Sequence, residues 1–373
     1  MWGYATPPHP QRGFADTLGG VSPSLLQVIC MESRLEGFRR FEYTLFGAIT
    51  LATVLLCVCI GSVNIPVSDT LTAIWNTIFG LPIPEGISQS IIVFVRLPRV
   101  LCVALVGAAL SLCGGAMQGL LRNPLADGTT LGVSSGASLG AALAIAFGIA
   151  IPGIDFAGTI AMAMLFAFLS LVLILSLAYK LDYSLSTNTI ILIGIVFTMF
   201  ASSIMSLIIT FAGDRIKSIL FWTMGSLSGS SYANALTLLG ALILFGAVIL
   251  RYSRELNAFA IGEDNARHVG VNVKKVKLVV LITVSALIGV CVSISGTIGF
   301  VGLVIPHMTR MVVGPNHRRM LPMTLFAGAT FLMLADLVGR VLLNPLELPI
   351  GVVTSFVGSI VFIYIFYSRK KVK

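Results

Sequence analysis

The chain has 373 residues, of which 57% are hydrophobic and only 10% are charged, and its mean hydropathy is +0.99. A soluble globular sequence has about a quarter charged residues, so this composition excludes a soluble domain and indicates a chain whose solvent is the lipid bilayer. The net charge of +9 fits the loop charges of a membrane protein, and we therefore expect no nucleic-acid partner.

The first 42 residues differ from the rest of the chain. They are polar and interrupted by prolines, a composition that cannot bury a hydrophobic core. We expect residues 1–42 to form a cytoplasmic N-terminal tail that is disordered in large part, and residues 43–370 to form one membrane domain.

Ten apolar segments follow the tail, and each approaches the roughly 20 residues that a membrane-spanning helix needs. The predicted spans are residues 43–63, 98–119, 134–151, 156–178, 189–211, 233–250, 276–295, 298–313, 321–341 and 350–367. The sequence thus predicts an all-α polytopic membrane protein with ten transmembrane helices.

The loop charges predict the orientation of these spans, because cytoplasmic loops carry an excess of Lys and Arg. With the N and C termini in the cytoplasm, the inner segments hold 19 of the 24 Lys and Arg residues. The five on the outer side are Arg96, Arg99, Arg215, Lys217 and Arg340. We therefore expect both termini to be cytoplasmic.

Small residues in the second and third spans indicate close helix packing. Gly115 and Gly119 are four positions apart, as are Gly136 and Gly140, so each pair lies on one helix face. Such pairs let helix backbones approach closely in lipid. The pattern predicts a tight bundle.

The longest inner loop covers residues 251–275 and reads RYSRELNAFAIGEDNARHVGVNVKK. Its polar composition and its glycines at positions 262 and 270 predict a folded element of two short helices joined by a turn, suited to docking. The alternative is a solvated connector that only supplies positive charge to the inner side.

Several function classes lack the residues that they need. The chain has no Gly-x-x-x-x-Gly-Lys-Ser/Thr loop, so we expect no ATP hydrolysis by this chain alone and no catalytic residue. Asp336 is the only carboxylate well inside a predicted span, which argues against an ion-coupled transporter. The scattered histidines predict neither a membrane enzyme nor a metal site.

Five motifs make the chain recognisable. They are RLPRV, GAALSLCGGAMQGLLRNPLADGTTLGVSSGA, GEDNARHVGV, GTIGFVGLVIPHMTR and ELPIGVVTSFVGSIVFIYI, in this order within residues 43–370. Through them the chain resembles the permease subunits of the iron-siderophore, haem and cobalamin ABC importers, the FecCD family. Only the N-terminal tail lies outside the resemblance.

The resemblance implies a set of partners in the bacterial cytoplasmic membrane. They are a second permease subunit in a homodimer or heterodimer, two cytoplasmic ATPases that use ATP and Mg, and an extracytoplasmic substrate-binding protein. No cofactor is expected on this chain. In the family, the loop matching residues 262–271 inserts into a groove of the ATPase. The expected coupling residues are Gly262, Glu263, Asp264, Ala266, Arg267 and Gly270.

The resemblance also aligns Arg96, Arg99 and Arg340 with family arginines that meet acidic residues of the binding protein on the outer face. Exposed ion pairs contribute only about 0.2 to 1 kcal/mol each, so these arginines would orient the partner more than hold it. Two alternatives stay open. The arginines could snorkel at the membrane interface, or Arg340 could pair with Asp336, four residues before it.

The segment YSLSTNTIILIG matches the family's cytoplasmic gate region, which makes Ser186, Thr187 and Asn188 candidates for a constriction of the translocation path. Small polar side chains suit a gate that passes a bulky complex without binding it. A helix N-cap uses the same residue types, and this alternative stays open.

The cargo is expected from the family alone. Ferric siderophores are the commonest family substrate and are therefore our expectation, transported by alternating access. Haem or cobalamin is the alternative, and an ion-coupled secondary transporter is the remote one.

Overall fold

The computed structural model describes residues 39–61, 65–79, 90–151 and 157–370. The predicted N-terminal tail therefore lies almost wholly outside the described residues. Within the described ranges the named secondary-structure elements are all helices, as the sequence predicts.

Fourteen α-helices are named in chain order within the described residues. They are α1 (Arg40–Cys59), α2 (Val67–Phe79), α3 (Leu97–Leu120), α4 (Val133–Phe147), α5 (Ala157–Leu181), α6 (Thr187–Phe211), α7 (Ile216–Thr223), α8 (Tyr232–Arg251), α9 (Ser253–Ala260), α10 (Glu263–His268), α11 (Val273–Ser295), α12 (Val301–Val313), α13 (His317–Val341) and α14 (Ile350–Lys370). A π-helical turn, Ile92–Arg96, leads directly into α3.

Seven helical segments of the described chain are long and apolar enough to cross a membrane. They are Arg40–Cys59, Ile92–Leu120, Ala157–Leu181, Thr187–Phe211, Tyr232–Arg251, Val273–Ser295 and His317–Val341. Three shorter apolar helices, Val133–Phe147, Val301–Val313 and Ile350–Tyr364, coincide with the other three predicted spans. The chain is thus a multi-pass membrane protein with seven full-length candidates.

Helix α2 has no counterpart among the predicted spans. It has 13 residues, and it buries Thr70 and Ala73 while Leu71, Trp75 and Phe79 are exposed. Its apolar residues are interrupted by polar ones, so it is too short and too polar to be recognised as a span from the sequence.

Helix α3 lies at the centre of the bundle. Every residue from 106 to 120 is buried, because α8, α11, α12 and α13 all pack against this helix. The outer helices α5, α6 and α8 instead expose large apolar side chains such as Phe168, Phe200 and Leu236. Exposed apolar side chains are expected on helices that face lipid.

Glycines set the closest helix contacts. A Cβ on Gly140 would clash with the carbonyl oxygen of Met162, and one on Gly136 with the side chain of Ser170, so α4 and α5 touch along these positions. On α3, side chains of α13 instead pack directly against Gly115 and Gly119. Both predicted glycine pairs therefore lie at close contacts, as expected.

The bundle has two distinguishable ends. At one end, α9 meets the start of α13, where the His317 N–H donates to Asn257 Oδ1 at 2.8 Å. At the other, the Tyr232 hydroxyl donates to the Val93 carbonyl at 2.7 Å, and Asp336 of α13 meets Arg99 of α3. We call these the loop end and the arginine end.

Candidate functional site

The segment between α8 and α11 folds as two short helices, α9 and α10, at the loop end. The turn before α10 contains Gly262 with φ of +115°, and Gly270 after α10 has φ of +87°. Residues with a Cβ rarely adopt these angles, so both turns favour glycine. The predicted two-helix element is confirmed.

One side of α10 and its flanking turns is exposed. Asn265 and His268 are exposed there, and we call the other exposed residues the coupling face, which consists of Ile261, Asp264, Arg267, Val269 and Gly270. The Arg267 and Asp264 side chains lie 3.5 Å apart, and both are largely in solvent, so their pair contributes little and both stay accessible. The face therefore combines two apolar side chains with two charges of opposite sign.

Two other predicted coupling residues point towards the bundle. Ala266 is fully buried. The Glu263 side chain, 26% exposed, places Oε1 2.7 Å and Oε2 2.8 Å from Nζ of Lys277. These residues anchor α10, while the coupling face stays outward.

Lys277 lies one turn into α11, and its side chain has no exposed surface. Besides its ion pair with Glu263, its ammonium donates to the Leu185 carbonyl at 2.9 Å. A buried ammonium is costly unless it is paired and hydrogen-bonded, and here two contacts on different elements meet that need. One lysine therefore joins α10 to the loop between α5 and α6.

The α5–α6 loop is organised around Asp182. Its Oδ1 accepts from the Ser184 hydroxyl at 2.6 Å and from the Ser184 N–H at 2.9 Å, and its Oδ2 accepts from the Ser186 N–H at 3.0 Å. The Thr189 hydroxyl also donates to Oδ2, at 3.2 Å. These hydrogen bonds, with that from the Ser184 side chain foremost, hold the pKa of Asp182 well below its usual value.

The three gate candidates begin α6. Ser186 is the N-cap residue, and its Oγ accepts from the Thr189 N–H at 3.4 Å. Thr187 is half-buried and Asn188 is exposed. The N-cap alternative is therefore confirmed for Ser186, and the gate role stays a prediction.

At the opposite end of the bundle, buried charges converge on Asp336. Arg99 Nη2 lies 2.9 Å from Asp336 Oδ1, and Arg340 Nε lies 2.9 Å from Asp336 Oδ2. Arg99 also reaches Glu347, with Nη1 2.8 Å from Oε2. The Asp336–Arg340 pair, which the sequence left open as an alternative, is confirmed.

Arg96 and Arg340 also donate hydrogen bonds to carbonyls at the C-terminal end of α1. Arg96 Nη1 donates to the carbonyls of Val58 and Cys59, each at 3.0 Å, and Arg340 Nη2 donates to the Cys57 carbonyl at 3.1 Å. The last carbonyls of a helix lack intrahelical donors and form the negative end of its dipole. Guanidinium groups therefore satisfy them well.

These contacts correct the expected exposure of the arginines. Arg96, Arg99 and Arg340 are 4%, 7% and 3% exposed, so their charged groups are held inside the chain and not presented in water. The physical reason is that acids and helix-end carbonyls of the same chain lie within reach of each guanidinium. Whether a binding protein docks above them stays a prediction.

Sequence reasoning misses Lys277 and Glu347. The loop-charge argument treats Lys277 only as one of the positive charges of the inner side, although it follows Val276 within an apolar run and is an ionisable residue inside a span. Glu347 lies 248 positions from Arg99, and no sequence pattern indicates their contact.

A cavity of about 490 Å³ lies at the arginine end, between α7, the start of α8 and the end of α11. Its lining joins the aromatic side chains of Phe221 and Trp222 with serine hydroxyls, including Ser226 and Ser293, and among the described residues it includes no charged side chain. The described lining thus offers hydroxyl groups and aromatic faces without a fixed charge.

The fold defines an all-helical multi-pass membrane protein with a folded two-helix element at one end. The family model for the FecCD transport family matches residues 49–368. The chain belongs to the FecCD transport family.

Relatives and a solved structure agree with that membership. The chain is 40% identical over 331 residues to an uncharacterised ABC transporter permease, YvrB of Bacillus subtilis, covering 88% of this chain and 94% of the relative. It is 32% identical to the cobalamin import permease BtuC of Halobacterium salinarum, covering 94% and 91%. A structure assigned to the metal-chelate type of ABC transporter, in an inward-facing conformation, matches with a TM-score of 0.75 and 32% identity, covering 87% and 97%.

Proposed function

We propose that this chain is the transmembrane permease subunit of an ABC importer that moves a metal chelate across the bacterial cytoplasmic membrane by alternating access. Family membership and the ABC permeases among its relatives support the transporter class. The cobalamin relative and the metal-chelate type structure support the cargo class, since cobalamin is itself a metal complex.

The coupling face carries this proposal. Ile261 and Val269, which flank α10, expose apolar side chains beside the charges of Asp264 and Arg267 on α10 at the loop end. Interfaces are typically built from an apolar patch with a polar rim. An ATPase groove would cover these side chains, and Glu263 and Ala266 would hold α10 against the bundle.

The energy would come from companion subunits. Because the chain has no phosphate-binding loop, two separate ATPases would bind ATP and Mg, and this chain would bind no cofactor. A second permease subunit would complete the translocation path, with Ser186, Thr187 and Asn188 near its cytoplasmic gate.

We propose ten spans with both termini in the cytoplasm. The three shorter apolar helices α4, α12 and α14 would bring the seven full-length spans to ten. Helices α4 and α12 can be shorter because they pack against other helices over much of their length. The loop end would face the cytoplasm, in agreement with the excess of Lys and Arg in its loops.

The substrate-binding protein would dock at the arginine end. There, Arg96, Arg99 and Arg340 would act by fixing the ends of α1, α3 and α13 beneath the docking surface. Glu347, which is the partly exposed member of this charge cluster, would face the partner.

Ferric siderophore is the cargo that we propose, with haem or cobalamin as the alternative. Siderophores are bulky and shield their metal, which agrees with the uncharged, hydroxyl-rich cavity beside α7. Cobalamin has the same general properties, and the cobalamin permease among the relatives supports it as the second candidate.

The test is import into vesicles that contain the purified complex of permease, ATPases and binding protein. We expect ATP-dependent accumulation of a ferric hydroxamate, no accumulation by this chain alone, and no accumulation driven by a proton or sodium gradient. Haemin and cobalamin assayed in parallel would identify either alternative cargo.

Two variants test the coupling face in the same vesicles. Arg267→Ala and Gly270→Val should leave the membrane domain folded but lower the import per ATP hydrolysed. Accumulation by this chain without ATPases, or undiminished coupling in both variants, would contradict the proposal.

A further inference from the structure

We infer that Lys277 is a positioning residue that joins the coupling helix α10 to the α5–α6 loop, so that the start of α6 follows the movement of α10. The inference deepens the proposed function and rests on it, because only in a transporter with ATPases at the coupling face would α10 move during the cycle. Lys277 itself would touch neither cargo nor nucleotide.

The joint consists of three groups. The Lys277 ammonium lies 2.7 and 2.8 Å from the two oxygens of Glu263, the first residue of α10, and 2.9 Å from the Leu185 carbonyl. Leu185 immediately precedes Ser186, the N-cap of α6. A single side chain thus spans the distance between the predicted coupling element and the predicted gate.

Burial makes this joint expensive to break. The Lys277 side chain has no exposed surface, and removal of the Glu263 carboxylate would leave its buried ammonium with only the Leu185 carbonyl as a partner. If only packing were needed, an apolar side chain of similar length would fill this position without any desolvation cost. The ion pair therefore favours movement of α10 and the loop together over movement of either one alone.

A second contact also links α11 to the α5–α6 loop. The Lys274 ammonium lies 3.1 Å from the ring centre of Tyr183 and 4.5 Å from that of Tyr179. In such cation–π contacts the ammonium is attracted to the face of the ring. The first turn of α11 therefore contacts both the end of α5 and the start of the loop.

Hydrogen bonds within the α5–α6 loop would transmit a displacement of Leu185 to the start of α6. Leu185 is fully buried and has φ of +53°, and its N–H donates to the Asp182 carbonyl at 2.9 Å. The Asp182 side chain accepts from Ser186 and Thr189 on the far side of Leu185. A shift of the Leu185 carbonyl would therefore move the N-cap of α6 with it.

The experiment compares Lys277→Met with wild type in the full complex with its ATPases and binding protein. We expect ATP hydrolysis to continue while import per ATP falls about 5-fold or more, the lower range of typical coupling effects. Lys275→Met is the matched control, since Lys275 is the exposed lysine two positions earlier, and it should couple as wild type does.

Two further measurements separate positioning from folding. The double variant Glu263→Gln, Lys277→Met leaves no buried charge without a partner, so it should assemble normally and still be uncoupled. In addition, the rate at which a maleimide labels Asn188→Cys should change with nucleotide while Lys277 is present. This nucleotide dependence should disappear when the substitution Lys277→Met is added.

The outcomes distinguish the two proposals. If the wild-type complex neither imports nor hydrolyses ATP in response to binding protein, the proposed function fails. If wild type imports, and the double variant keeps wild-type coupling and the nucleotide-dependent labelling of Asn188→Cys, the inference about Lys277 is overturned while the proposed function stands.

Discussion

Asp336 is the residue on which the arginine end depends. It is 2% exposed and shares its two carboxylate oxygens between Arg99 and Arg340. Because both guanidinium groups are themselves buried, their charges rely on this acid, on Glu347 and on the carbonyls at the end of α1. The three helices α1, α3 and α13 are thereby held together at one end.

We predict that Asp336→Asn lowers the free energy of unfolding by about 3 to 5 kcal/mol, because it leaves two buried guanidinium groups without their shared carboxylate. The thermal midpoint of the detergent-solubilised protein measures the loss. Asp214→Asn, at an exposed position, is the control and should change stability by less than about 0.5 kcal/mol. Equal midpoints for the two variants would refute the structural role of Asp336.

At this scale the sequence predicted contacts that are local in the chain. The four-residue spacing of Asp336 and Arg340 offered their pair as an alternative, and the Ser before an apolar helix offered an N-cap at Ser186, but the sequence did not decide between these and the functional roles. The partner of Arg99 is 237 positions away, and it is brought close only by the packing of α3 against α13. Such contacts depend on the tertiary fold and leave no local pattern.

At the scale of elements, helices α4 and α5 illustrate how small residues replace the hydrophobic effect inside lipid. Helix α4 has only 15 residues, and its glycines let the backbone of α5 approach until no room remains for a methyl group. The contact provides dispersion energy that depends on close fit.

Gly140→Ala should therefore destabilise the bundle by about 1 to 3 kcal/mol, the usual cost of overpacking, because the new methyl group would clash with the Met162 carbonyl. The matched control is Gly240→Ala in α8, where nothing lies within 4 Å of the added methyl group. We expect the control to be neutral or slightly stabilising. Thermal unfolding in detergent measures both, and a Gly140→Ala midpoint equal to that of the control would contradict the packing argument.

The apolar runs and the glycines between them predicted most of the helices, including the two short helices of the 251–275 loop. Helix α2 was missed because its 13 residues carry mixed polarity, a pattern without the length of a span. Helices α4 and α12 are shorter than the segments predicted for them, 134–151 and 298–313. Gly148, with φ of +66°, ends α4 four residues early, whereas α12 begins three residues late, after Phe300 with φ of +67°.

At the scale of the whole molecule, the two ends differ in chemistry. The loop end has an exposed coupling face and a basic perimeter, whereas the arginine end keeps its three arginines internal and opens into an uncharged cavity. This asymmetry agrees with an ATPase-facing cytoplasmic side and a cargo-receiving outer side. The sequence anticipated the asymmetry through loop charge, whereas the cavity depends on how several elements meet.

Topology mapping tests this orientation. A cysteine at Asp264 should react with a membrane-impermeant maleimide only in inside-out vesicles, and a cysteine at Asp214 only in right-side-out vesicles, because the two positions lie at opposite ends of the bundle. Both are exposed, so access depends on the side alone. Labelling of the two positions from the same side would refute the ten-span topology.

The glycine turns on either side of α10 have an evolutionary consequence. Gly262 and Gly270 delimit a compact segment whose outward residues and inward anchor are separate, so the outward residues are free to diverge without disturbing the lipid-embedded helices. Under the proposed function, we expect that exchanging residues 261–270 between homologous transporters changes which ATPase subunit is recruited. Such a chimaera must keep glycine at positions 262 and 270 for the two turns, a small residue at the buried position 266, and an acid at position 263 to pair with Lys277.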